Sequence, residues 1–134
     1  MESSIQAPAW KGRLWAGRIL STLAILFMLF DASIHMMRPA PVVDAFAKLG
    51  LPLSFAVPLS IIEFVCVALY AIPRTSVLGA ILLTGYLGGA VAIQARIGAP
   101  LLSSTLFPIY VAVFIWGGLY LRDERVRVLV PIRR

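Results

Sequence analysis

Four long apolar runs organise the chain. The ionisable residues of Leu14 to Met37 are Arg18 near its start and Asp31 and His35 near its end. Leu53 to Ile72 holds one acid, Glu63; Ser76 to Ile97 holds Gln94 and Arg96 at its far end; Thr105 to Leu121 carries no charge. Each run is about 17 to 24 residues, enough to cross ~30 Å of hydrocarbon at ~1.5 Å per residue. None shows the polar–apolar alternation of a barrel strand, so helices must satisfy the backbone internally. The pattern predicts an all-α fold: an integral membrane four-helix bundle forming a single domain over 1–134, with helices near 14–37, 53–72, 76–97 and 105–121. The first run is too long for a signal-peptide core and lacks a clean cleavage site, which predicts a retained helix.

Between the first two runs lies "PAPVVDAFAKLGLP". Val42, Val43, Phe46 and Leu49 fall at helical spacing, and Asp44 and Lys48 stand four apart. This predicts a short helix at the membrane interface between helices 1 and 2. "IPRTS" reads as a tight turn in which Pro73 ends one helix and Thr75 or Ser76 caps the next.

Charge sets the expected orientation. With four crossings the termini share a side, and that side holds Lys11, Arg13, Arg18, Arg74, Arg122, Arg125, Arg127, Arg133 and Arg134; the other holds Arg38, Lys48 and Arg96. The positive-inside rule places the N and C termini in the cytoplasm, in a multi-pass protein of the bacterial-type cytoplasmic (inner) membrane. Sixty per cent hydrophobic residues and a mean hydropathy of +0.93 exceed what a 134-residue soluble fold can bury. The net charge of +6 suits anionic lipid, so the expected partner is the lipid bilayer. Nucleic acid is not expected, since acids interrupt the basic tail "RDERVRVLVPIRR".

The stretch "LLTGYLGGAVAIQARIG" puts Gly85, Gly88, Gly89, Ala92 and Arg96 on one helical face with Leu78, Ile81 and Leu82. Gly85 and Gly89 make a GxxxG pair, which in lipid lets helix backbones approach. These small residues are expected to be helix-packing positions, used inside the monomer or at an oligomer seam; four helices needing close crossings favour the inside. Gly17, Leu20, Ala24, Asp31 and His35 share a face of the first helix. Because helices 1 and 3 run the same way, Asp31, His35 and Arg96 should reach similar depth. An Asp31–Arg96 contact with His35 beside it is one expectation; separate extension of each to water is the other.

Glu63 lies near mid-membrane on a face with Ala56, Leu59, Ser60, Cys66, Val67 and Tyr70. Intramembrane acids mark functional sites by default, although they also bridge helices. Pro58 and Pro108 remove backbone donors, which predicts two kinks that open one half of the bundle. Tyr110 shares a face with Gly117 beyond the second kink. Asp31, His35, Glu63, Tyr110 and Arg96 are the expected ligand-binding residues.

Several chemistries are excluded. One cysteine, Cys66, cannot form a dithiol relay, and one histidine cannot supply both axial ligands of a haem. No metal-ligand spacing, phosphate loop or nucleophile–base pair is evident in the sequence. No catalytic residue is assigned: the chain is not a self-sufficient enzyme, and at most a subunit of a membrane oxidoreductase.

"GLPLSFAVPLSIIEFVCVALYAIPRTSVLGAILLTGYLGGAVAIQARIG" followed by "WGGLYLRD" resembles the DoxX-like family of small four-helix membrane proteins. The likeness spans roughly Leu20 to Ile132 and is most specific over Ile72 to Ala90. It implies membrane residence, and association with quinone-linked redox systems. Glu63 and Arg96 match the family pattern, whereas Gln94 stands where many relatives carry histidine. Two functions follow as expectations. One is an accessory or quinone/lipid-binding subunit beside a membrane redox protein partner, with quinone as the candidate ligand and Glu63 or His35 exchanging a proton with it. The other is a structural or assembly factor without ligand chemistry. Transport fits less well, for want of inverted repeats.

Overall fold

The computed structural model describes residues 9–130; Arg133 and Arg134 lie outside them. The described residues form six α-helices and no strand: α1 (Ala9–Met37), α2 (Ala40–Leu49), α3 (Ala56–Ala71), α4 (Ser76–Arg96), α5 (Phe107–Arg122) and α6 (Glu124–Leu129). A 3₁₀ turn, Leu53–Phe55, precedes α3, and a π-helical turn, Leu101–Thr105, precedes α5. Four segments are long and apolar enough to span a membrane: Lys11–Met37, Leu53–Ala71, Ser76–Arg96 and Leu101–Arg122. They close into a ring in which α1 and α4 each pack against α3 and α5.

The surface is the apolar part of this protein. Phe30 is 65% exposed and Val113 60%, whereas Ser60 and Glu63 are fully buried. Buried positions recur at three- and four-residue steps: Gly17, Ser21, Ala24, Met28 in α1; Ala56, Ser60, Glu63, Val67, Tyr70 in α3; Ser76, Ala80, Leu83, Leu87 in α4; Pro108, Val111, Ile115, Gly118 in α5. That spacing is the seam of a left-handed bundle, and its small members let the helices approach.

Glycines make the tightest crossings at the end that carries the termini. A Cβ on Gly17 would stand 2.8 Å from the Gly118 carbonyl oxygen, and one on Gly118 would stand 2.8 Å from the Ser21 nitrogen. A Cβ on Gly79 would stand 2.6 Å from Tyr70 Cα. A hydrogen-bond chain crosses the same end: Arg122 Nε donates to Ser21 Oγ (2.9 Å), Ser21 to Tyr70 Oη (2.9 Å), and Tyr70 to the Ile115 carbonyl (2.7 Å).

The glycine face of α4 lies elsewhere than expected. Gly85, Gly88, Gly89 and Ala92 are exposed, and a Cβ on any of the three glycines would meet nothing within 4 Å. The seam inside the monomer is instead Ser76, Ala80, Leu83 and Leu87. In lipid, apolarity does not mark the interior, so a rotation that groups leucines with glycines does not identify the packed face.

The connections are corrected likewise. Pro58 sits in the first turn of α3 and Pro108 in that of α5, where the missing N–H removes no α-helical bond; each follows closely on the 3₁₀ or π-helical turn that opens its span. Thr75 and Ser76 make no side-chain cap on α4. Their hydroxyls donate back to the Leu69 (2.7 Å) and Tyr70 (2.8 Å) carbonyls, which closes the end of α3.

The short helix between the first two spans is present as α2. Arg38, at φ 52°, turns the chain out of α1. At the other end Gly50, at φ 69°, forms a Schellman close: Gly50 N–H bonds to Ala47 O (3.1 Å) and Leu51 N–H to Phe46 O (3.0 Å). Val42 and Phe46 are buried, so α2 roofs the bundle at the end opposite the termini.

Candidate functional site

Under that roof the four spans enclose a cavity of about 420 Å³, within the usual size of small-molecule pockets. α1 contributes Phe27, Met28, Asp31 and His35, α3 Leu59 and Glu63, and α2 Phe46 and Leu49. α4 contributes Gly85, Tyr86, Gly89, Ile93 and Gln94, and α5 Phe107, Pro108 and Val111. Most of this wall is apolar. The polar groups converge from three helices, and Gly85 and Gly89, both exposed, are among the lining residues.

Glu63 is the deepest of them. The 3.5-residue seam of α3 places it inward between Ser60 and Val67, and it is fully buried. Tyr86 donates its hydroxyl to Glu63 Oε2 at 3.0 Å. Glu63 Oε1 is buried and has no hydrogen-bond partner among the described residues, a costly condition for a carboxylate oxygen in an apolar wall.

Asp31 and His35 stand one turn apart on α1. His35 Nδ1 lies 2.7 Å from the Asp31 carbonyl oxygen and 3.2 Å from Asp31 Oδ2. Since a carbonyl only accepts, Nδ1 carries the proton, and in the neutral ring the lone pair is on Nε2. Phe46 packs on the ring from the roof, with centroids 5.9 Å apart. One oxygen from each of Asp31 and Glu63 and one ring nitrogen of His35 all lie within 4.8 Å of one another. Asp31 and His35, one turn apart on α1, and Glu63 from a second span thus form one cluster of metal-ligating type.

Arg96 and Tyr110 do not join it. Arg96 is exposed, and its Nη2 donates to the Leu49 carbonyl at the end of α2, so no Asp31–Arg96 pair forms. One more turn of α4 carries Arg96 past the cluster to the roof. Tyr110 is 44% exposed and donates to the Leu102 carbonyl at 2.9 Å; the π-helical turn before α5 supplies that acceptor. Tyr86 and Gln94 are the polar residues that sequence reading left out of the site. Depth would have found Tyr86: it follows the 72–76 turn by about as many residues as Glu63 precedes it.

The DoxX-like family profile matches residues 19–118, most of the chain, and stops short of the likeness to Ile132 expected from sequence. No curated protein and no solved structure matches. The matched segment covers the second and third spans in full and the first and fourth apart from residues 11–18 and 119–122, and it includes every polar residue of the cavity. The multi-pass helical bundle described above is a member of the DoxX-like family.

Proposed function

We propose that this protein is an accessory subunit of a membrane redox system that holds a quinone-type lipophile, a polar head on an apolar tail, in the cavity beneath α2. The observation that carries the reading is Glu63: a fully buried carboxylate with one oxygen unpartnered, inside an otherwise apolar chamber. A head group with oxygen functions finds a donor in the Gln94 amide, and its ring finds Phe27, Phe46 and Phe107. The wall at Gly85 and Gly89 suits the tail, because both residues line the chamber and are exposed. Electrons would come from a partner redox protein, and this chain supplies binding, orientation and protons from its polar cluster. With the termini in the cytoplasm, the site lies in the outer half of the membrane.

The test is organic extraction of the purified full chain, with mass spectrometry for quinones. A near-stoichiometric quinone, reduced several-fold in Gly85→Leu (which adds bulk at that wall), supports the proposal. Quinone no higher than on an unrelated four-span protein from the same membranes refutes it.

One observation favours the second reading, an assembly factor. Gly88 and Ala92 offer a small-residue face with nothing packed on it, suited to another membrane helix. Crosslinking from Ala92→Cys to a partner chain, with no quinone extracted, decides for it.

A further inference from the structure

We propose that Asp31, His35 and Glu63 bind a divalent first-row transition-metal cation, of the Zn²⁺ or Fe²⁺ class, with its open coordination positions facing the cavity. Three independent features carry this. One oxygen from each of Asp31 and Glu63 and one ring nitrogen of His35 stand within 4.8 Å of one another; tetrahedral ligands at ~2.0–2.2 Å from a metal stand roughly 3.4 Å apart, so a bound cation would draw the three side chains together and turn the Nε2 edge of the ring toward itself. Glu63 Oε1 is fully buried and unpartnered, and a cation satisfies it. Two carboxyl groups and one imidazole in an apolar wall form a donor set whose charge a divalent cation would balance once both acids are ionised.

The outer contacts fit as well. Metal-bound histidines commonly donate their second ring N–H to a carbonyl or carboxylate, which fixes the tautomer. His35 does so to the Asp31 carbonyl at 2.7 Å, leaving Nε2 for a cation. Tyr86 holds Glu63 Oε2 at 3.0 Å, which fixes the carboxylate while Oε1 remains available. Asp31 and His35, at i and i+4, have the spacing by which a helix presents two ligands on one face. The mixed imidazole and carboxylate donors favour transition metals over Mg²⁺ or Ca²⁺. The inference goes beyond the quinone reading and does not require it.

The experiment uses the full chain in detergent, stripped with a chelator, equilibrated with Zn²⁺, desalted, and assayed for metal by mass spectrometry. The expected result is one Zn²⁺ per chain, undisturbed by excess Mg²⁺ or Ca²⁺. Glu63→Gln and His35→Gln each lower the affinity by at least tenfold, and Tyr86→Phe by about tenfold through its outer-contact role. Gel filtration and circular dichroism verify that the variants fold. Should they fail to fold, Co²⁺ titration of the unaltered chain gives the answer by itself: visible d–d bands of a low-symmetry site support the proposal, and a spectrum identical to free Co²⁺ overturns it. Zn²⁺ absent from the unaltered chain, or retained equally by folded Glu63→Gln, also overturns it. Metal without quinone would sink only the proposed function, and quinone over a metal-free cluster would sink only this inference.

Discussion

At the end that carries the termini, Gly17 and Gly118 bring α1 and α5 into backbone contact, and Gly79 does the same for α4 against α3. At the opposite end Gly85 and Gly89 bring nothing into contact and border a chamber. The polar groups divide in the same way. Near the termini, Arg122, Ser21, Tyr70 and the Ile115 carbonyl form a continuous donor–acceptor chain, whereas Glu63 keeps an oxygen unpartnered. One half of the bundle is closed by backbone contact and paired hydrogen bonds, and the other surrounds a cavity. A glycine in a membrane helix takes its meaning from what lies opposite it.

The sharpest way to break this contrast is to add bulk to both halves. Gly118→Leu and Gly79→Leu force side chains into backbone, and each should cost about 3 kcal/mol or more, read as loss of the folded species in thermal unfolding in detergent. Gly85→Ala and Gly89→Ala, in the same assay, should leave stability unchanged or raise it by up to ~1 kcal/mol through helix propensity. Equal destabilisation by the two sets would dissolve the comparison. Tyr70→Phe should cost about 1 kcal/mol for hydrogen bonds lost at the closed end, while Tyr86→Phe at the open end should alter ligand or metal retention more than stability.

The smallest effect concerns α6. Arg125, through its guanidinium and its backbone N–H, holds the Asp123 carboxyl below its ordinary value. A depressed carboxyl contributes stability above its unfolded pKa of ~3.9, and that contribution is lost as pH falls through the folded value. Amide exchange over Val126 to Leu129 should therefore stay unchanged from neutral pH to about pH 4, after correction for intrinsic rates, and accelerate only below it.

The four spans and the α2 helix were legible in the sequence because length and hydropathy are properties of one segment at a time. The inward placement of Glu63 was legible too, since a charge in a membrane span has few other places to go. Which face of α4 packs was not, because Leu82 and Gly85 suit lipid as well as protein. Of the two contacts expected for Asp31, the one with His35 forms and the one with Arg96 does not. Arg96 looked correct by depth, but a long side chain at a helix end reaches for the nearest free carbonyl, here that of Leu49. Only the ring order of the helices brings α1 beside α3, and with it His35 beside Glu63.

That grip of Arg96 on Leu49 has a mechanical corollary. The last turn of α4 is fastened to the closing turn of α2, so a tilt of the one drags the other like a hinge pin moving its plate. A displacement of the last turn of α4 would then reach the roof through that side chain.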